Sequence, residues 1–233
     1  MNPELSIVII SLNEEENIGK LLSSIKKQDY KNYEIILCDA GSKDKTREIA
    51  KGFRCKIVEG GLPARGRNNG AKFARGDYLA FFDSDVILPK GFLRSVLGKI
   101  KEDGIDVATV DNVPLSENKI EIFFHKIYNH WQRAMQNIDP HATGACIIIK
   151  KNIFNKLGGF DETIKLAEDH ALARKAFRKG AKFKVLEGKI YFSTRRLKND
   201  GKIVIAVKFI LAAIHRIFIG EIRHDWFKYN LER

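Results

Sequence analysis

Asp83 and Asp85 are separated only by Ser84 and stand directly behind the apolar run 78–82. Two carboxylates spaced this way project from one strand end. Hard oxygen donors of that kind suit Mg²⁺ or Mn²⁺, which take few protein carboxylates and fill the remaining positions with phosphate and water. Taken alone, the triplet also fits a solvated acidic turn. Two further clusters share its setting: Asn13 and Glu14 follow the apolar run 6–12, and Asp39 to Ser42 follow the run 33–38. A random scatter of carboxylates rarely collects at three strand ends.

The elements that must position these groups are legible as alternating periods. β-Branched and apolar residues at 6–12 read as a strand, and Ile18, Leu21, Leu22 and Ile25 give 14–27 helical spacing. The alternation continues with strands at 33–38, 55–59 and 78–82 and helices at 45–52 and 64–75. Such a series predicts an α/β fold, a mostly parallel Rossmann-like sheet with helices on both faces. Ligands of such sheets sit beyond the carboxyl ends of the strands, where these polar clusters fall. The second half is less regular, with a helix at 117–136, a strand at 145–149, a turn-rich segment at 158–162 and a helix at 168–179.

Six stretches in this order resemble family 2 glycosyltransferases of the GT-A fold over roughly residues 5–197: 6–14, 38–46, Ala64 to Gly70, Asp83-Ser84-Asp85, Gly158-Gly159-Phe160-Asp161-Glu162 and Glu168-Asp169. The resemblance implies an inverting, metal-dependent transfer of a sugar from a nucleotide-diphosphate donor. It assigns Glu14 and Asp39 to the nucleotide's base and ribose, groups whose N–H and O–H suit acceptor-only carboxylates. Arg67 falls near the donor phosphates or the base pocket. Asp85 is the expected direct ligand of Mn²⁺ or Mg²⁺, with Asp83 on the ribose or the metal's water. Asp169 matches the general base that takes the acceptor hydroxyl's proton; an acidic pair opening a helix fits the same residues. Arg195 and Arg196 resemble an arginine pair that holds the leaving diphosphate, a task suited to the planar guanidinium fork. Ala40 replaces a frequent second aspartate, and Leu12 stands where many members carry proline. Neither position supplies an indispensable charge.

Lys and Arg number 41 against 29 Asp and Glu, a net charge of +12 that favours anionic neighbours. Three widely spaced cysteines, Cys38, Cys55 and Cys146, form neither a redox pair nor a zinc spacing, and the start of the chain enters a strand directly, so a cytoplasmic setting is expected. Composition shifts near Ile203. The segment 203–220 is 18 residues long and the most apolar of the chain, yet Lys208, His215 and Arg216 interrupt it on one narrow face. A spanning helix wants about 20 apolar residues, so an amphipathic helix lying on the membrane surface fits better; a helix packed on the catalytic domain or another subunit buries the same face. The expected division is a catalytic domain at 1–197, with a donor half to about 111 and an acceptor half from 112, and a helical membrane-associating extension at 198–233.

The expected reaction delivers a sugar, with mannose and glucose both plausible, to a hydroxyl of a lipid-linked or membrane-proximal glycan acceptor. A polyprenyl-phosphate acceptor is the near alternative and needs no general base. A nucleotidyltransferase would require a Gly-rich basic loop after the first strand, where Asn13-Glu14-Glu15-Glu16 is acidic instead. A nucleic-acid-binding protein would explain the charge but has no use for acidic strand ends; no nucleic-acid partner is expected.

Overall fold

The computed structural model of the chain describes residues 2–194, 211–212, 215–216 and 219–224. Most of 203–220, and Arg195 and Arg196, therefore lie outside the described residues.

Strand β1 (Leu5–Ser11) is buried almost throughout because both its faces are covered. Leu5, Ile7 and Ile9 enter one core with Ile18, Leu21, Leu22 and Ile25 of α1 (Glu15–Lys26), whereas Val8 faces the other core. That alternation with apolar residues on both sides is what a sandwiched parallel strand requires. β2 (Tyr33–Asp39), α2 (Thr46–Gly52), β3 (Lys56–Glu59), α3 (Pro63–Phe73) and β4 (Tyr78–Asp83) complete the βα series. β1 pairs in parallel with β2 and β4, and β2 with β3. Pro63 opens α3 at a position where its missing N–H costs nothing. Gly70 lets α3 lie close on the sheet: a Cβ there would run into the Val8 and Cys38 side chains.

The second half adds β5 (Val86–Ile87), α4 (Phe92–Glu102), β6 (Val107–Leu115), α5 (Lys119–Met135), β7 (Ile147–Lys150), α6 (Lys151–Leu157), α7 (Glu168–Arg178) and β8 (Phe183–Ser193). Among the described residues the strands join one eight-stranded sheet in the order β3-β2-β1-β4-β7-β6-β8-β5. The sheet is mixed: β7 is antiparallel to β4 and β6, and β5 is antiparallel to β8. The other six strands run one way, so their carboxyl ends share an edge. β6 crosses the expected boundary between the donor and acceptor halves without interruption.

Candidate active site

Arg67 stands at the centre of the carboxyl edge. Its guanidinium is only 3 % exposed and forks between two carboxylates: Nη2 donates to Asp83 Oδ1 at 2.8 Å and Nη1 to Glu168 Oε1 at 2.5 Å. Removing an arginine from water without partners is prohibitive, so the pair of acids is what lets the cation sit there. The ion pairs tie α3, the end of β4 and the start of α7 into one unit. The Phe160 ring lies 5.5 Å from the guanidinium carbon, and Asn68 fixes that ring's turn: Asn68 accepts from the Phe160 N–H at 2.9 Å and donates to the Phe160 carbonyl at 2.9 Å.

Asp169 opens α7 beside Glu168. Its Oδ2 accepts the Gly144 N–H at 2.6 Å and its Oδ1 the His170 N–H at 2.7 Å. Burial and the neighbouring Glu168 charge push its carboxyl up to about 7, against the opposing pull of Arg67 and the two backbone donors. An acid titrating near neutrality with one lone pair left on each oxygen is suited to accept a proton. Gly144 is required where it stands, because a Cβ would collide with Arg67 Nη2 and lie 3.2 Å from Asp83 Oδ1.

Asp83 closes β4, Ser84 is buried and Asp85 turns the chain into β5, with the Asp85 carbonyl accepting the Ser193 N–H at 2.9 Å. The triplet is thus pinned between β4 and β8. Among the described residues no three His, Cys, Asp or Glu side chains converge as a metal cage. Two carboxylates on one turn nevertheless fit Mg²⁺ or Mn²⁺, which commonly use one or two protein carboxylates and complete the shell with substrate phosphates and water.

Asp39 lies further along the edge, 3 % exposed, and all its acceptor positions have donors: Gly41 N–H at 3.2 Å, Ser42 N–H at 3.0 Å, Ser42 Oγ at 2.5 Å and Ser11 Oγ at 3.1 Å. It shapes the 39–42 loop, and any further hydroxyl would reach it only where a serine turns aside. That loop, with Gly60, Gly61, Arg47 and Arg65, lines a cleft of about 470 Å³. Gly60 fits against the backbone of Asp39, where a Cβ would sit 2.6 Å from the Asp39 carbonyl carbon. Glu14 is 2 % exposed and turned inward: it accepts from Asn17 Nδ2 at 2.9 Å, and its own N–H donates to Thr46 Oγ1 at 2.8 Å.

The sequence-predicted residues therefore share one sheet edge in two groups. Arg67, Asp83 and Asp169 are linked through Glu168 and Gly144, with Asp85 on the adjoining turn. Asp39 lines the neighbouring cleft, and Glu14 is buried behind the loop. Arg195 and Arg196 follow Ser193 and Thr194 but lie outside the described residues. Glu168 and Gly144 carry no assigned role in the sequence. Glu168 was detectable as the acid beside Asp169; Gly144 was not, since nothing local signals a neighbour that arrives from α3.

Comparison with known proteins identifies the family and the fold. The family model for glycosyl transferase family 2 matches residues 6–158. The poly(ribitol-phosphate) beta-N-acetylglucosaminyltransferase TarS of Staphylococcus aureus is 28% identical over 214 residues, covering 84% of this chain and 36% of TarS. The uncharacterized glycosyltransferase EpsJ of Bacillus subtilis is 25% identical over 210 residues, covering 82% of this chain and 61% of EpsJ. The chain thus spans about a third of TarS and about three fifths of EpsJ. Among solved structures, residues 1–349 of TarS with UDP-GlcNAc superpose with a TM-score of 0.69 at 22% identity, covering 82% of this chain and 59% of that one. The mannosyltransferase PcManGT from Pyrobaculum calidifontis, in complex with GDP-Man and Mn²⁺, gives a TM-score of 0.72 at 16% identity, covering 91% of this chain and 63% of that one. These structures share the α/β fold with its mixed sheet. The family model runs from β1 through the Asp83-Ser84-Asp85 turn to the end of α6, and the chain belongs to glycosyl transferase family 2.

Proposed function

We propose that the chain is an inverting hexosyltransferase that moves a sugar from a nucleoside-diphosphate donor to a hydroxyl of a lipid-linked or membrane-proximal acceptor at the cytoplasmic face of a membrane. The observation that carries this reading is Asp169: a buried carboxylate held by two backbone donors, raised toward neutrality, and joined through Glu168 and Arg67 to Asp83.

Asp169 takes the proton of the acceptor hydroxyl as that oxygen bonds to the anomeric carbon and the bond from that carbon to the diphosphate breaks. The electron pair leaves with the nucleoside diphosphate, and attack from the opposite side inverts the anomeric centre. Asp85, with Asp83, would hold Mn²⁺ or Mg²⁺, which when bound supplies positive charge to the departing diphosphate. Arg67 fixes the Asp83 carboxylate toward that place, and Arg195 and Arg196 are the expected further cations. The cleft beside Asp39, with Arg47 and Arg65, is the place for the nucleoside. TarS, bound to UDP-GlcNAc, and PcManGT, bound to GDP-Man and Mn²⁺, support a nucleotide-sugar donor and a divalent cation. The Escherichia coli relative WfgD is named as a UDP-Glc:alpha-D-GlcNAc-diphosphoundecaprenol beta-1,3-glucosyltransferase and is 38% identical over 89 residues, 36% of this chain and 35% of WfgD; it supports a lipid-linked acceptor.

The test is release of nucleoside diphosphate from UDP- and GDP-hexoses with Mn²⁺, for the wild type and Asp85→Ala. Wild-type turnover lost in the folded variant is expected. Equal rates in the two proteins at limiting Mn²⁺ would reduce the Asp83-Ser84-Asp85 turn to a structural feature.

A further inference from the structure

Helix α5 is inside out. An amphipathic helix on a protein surface normally turns its apolar stripe to the core. In α5 the buried positions include Asn129 and Gln132. Asn129 Nδ2 donates to the Asn112 carbonyl at 3.0 Å, and Gln132 Nε2 donates to the His141 carbonyl at 2.8 Å. Arg133 reaches inward as well, to Asp111 Oδ1 at 3.1 Å and the Leu186 carbonyl at 3.0 Å. The outward face carries Ile120, Phe123, Phe124, Ile127 and Trp131, all 42 to 65 % exposed and spaced as one stripe of a helix. With Leu115 and Ile138 at its ends, this stretch holds seven of the ten large apolar side chains exposed among the described residues. Leu211 and Ile219 are two of the other three, on the segment whose Arg216 donates to His170 of α7 at 3.1 Å. A contiguous apolar patch of this kind marks a surface that is covered in use.

We propose that the outward face of α5 docks in the headgroup and acyl boundary of a membrane rich in anionic lipid. The charge on the page selects that occupant. Lys119 and Lys126 are exposed along the stripe, with Glu117 the acid at its foot, and Trp131 has the amphipathic ring that favours the boundary. The whole chain carries +12, so two copies meeting at this face repel each other while an anionic surface attracts. The docking stands on α5 alone. Its use in delivering a lipid-linked acceptor rests on the reading of Asp169 given above. Trp131 of α5 packs on His141 at 4.6 Å between ring centroids and His141 on His170, the neighbour of Asp169, at 4.8 Å, so the acceptor side proposed above lies next to the docked helix.

The test uses the full chain carrying Trp226→Phe, which leaves Trp131 as the one tryptophan. With vesicles of about three parts brominated phosphatidylcholine to one part phosphatidylglycerol, Trp131 emission should shift to the blue and be quenched. Adding Phe123→Asp with Phe124→Asp should weaken partition at least about tenfold. Both residues are exposed, so the circular dichroism and thermal midpoint should not change. Turnover with a water-soluble acceptor should also persist, which separates this docking from failure of the transferase reading. Three results overturn it: no quenching of Trp131, undiminished vesicle binding by the Asp variant, or a dimer that depends on Phe123 and Phe124 without vesicle binding.

Discussion

At the scale of single residues, the site is organised by which charges face one another, and this is also where the sequence was least explicit. Asp83 and Asp85 were legible because they follow an apolar strand run, whereas Asp169 entered only through the resemblance to the family. Glu168 and Gly144 gain meaning only from Arg67, which reaches them across folds of the chain: it meets Glu168 101 positions away. Asp169 gives a pH prediction with a definite sign. Its carboxyl binds a proton more tightly in the fold than at its ordinary 3.8. The stability it contributes is therefore complete below about 4 and is lost as pH rises through about 7. In the proposed reaction activity runs the opposite way, because Asp169 accepts the acceptor's proton only when free of its own: kcat/KM should climb with pH around 7 and level off above it. Asp169→Asn should lower turnover by about 10²-fold or more and abolish the climb, since general-base contributions typically span ~10² to 10⁴. The same variant should lose less stability than the wild type between about pH 4 and 7 in thermal unfolding. Turnover near the wild-type rate with the natural acceptor would favour a polyprenyl-phosphate acceptor. Gly144→Ala should also cost at least about tenfold in turnover. The new methyl meets a guanidinium that two carboxylates hold in place, and displacing Arg67 or the 144 backbone disturbs Asp169 as well. Unaltered kinetics would mean that Arg67 moves aside without consequence.

Among elements, β1 to β4 and the helices between them were legible to within a few residues because short apolar runs alternate with helical periods from β1 to β4. Residues 86–115 receive no element in the sequence-based assignment, although α4 buries Phe92, Leu93, Val96, Leu97 and Ile100 at helical spacing. β6 is harder to read: its polar Asp111 and Asn112 interrupt the apolar run, and the register with β8 shifts between Thr109 and Asp111. α5 was recognised as a helix, but periodicity reports only that one face is apolar, and core-facing is the default inference. Its outward stripe became visible only when Asn129, Gln132 and Arg133 were seen to bond inward. The turn after α6 shows how one side chain joins elements that sequence leaves separate. Asn68 of α3 bonds to both the N–H and the carbonyl of Phe160 and donates to Glu162 Oε1 at 2.9 Å. Asn68→Ala should therefore lower unfolding stability by about 1 to 3 kcal/mol, the usual consequence of leaving partly buried backbone groups unbonded. Urea unfolding should show the midpoint falling with the slope unchanged; a midpoint equal to that of the wild type would mean that solvent replaces the amide fully.

For the whole molecule, the alternating elements foretold a sheet whose parallel strands present their carboxyl ends together, and six of the eight strands do so. The places of β7 and β5 were not legible, because strand direction within a sheet is set by long-range pairing and leaves no local mark. Their effect is functional all the same: β7 inserts beside β4 and is reached through the 142–146 turn that carries Gly144, while β5 carries the chain from Asp85 to its pairing with β8. On the proposed reading the donor site draws on parts of the chain from both halves, and a ligand that bridges them should stabilise the whole fold by mass action. A nucleoside diphosphate present with Mn²⁺ at about a hundred times its dissociation constant contributes about 2.7 kcal/mol. For a domain of this size each kcal/mol raises the melting midpoint by about 2 to 4 °C, so a rise of about 5 to 11 °C is expected. Removing the metal with EDTA should take away most of that rise, because the diphosphate then faces Asp83 and Asp85 with no cation between them. Asp85→Ala should behave with Mn²⁺ as the wild type does with EDTA, while its own midpoint without ligand stays near the wild-type value. Scanning UDP and GDP in parallel reads the base preference from the larger rise. If neither nucleotide moves the midpoint at millimolar concentration with Mn²⁺, the sheet edge does not hold the donor, and Asp83-Ser84-Asp85 is a turn whose Asp83 serves the ion pair with Arg67.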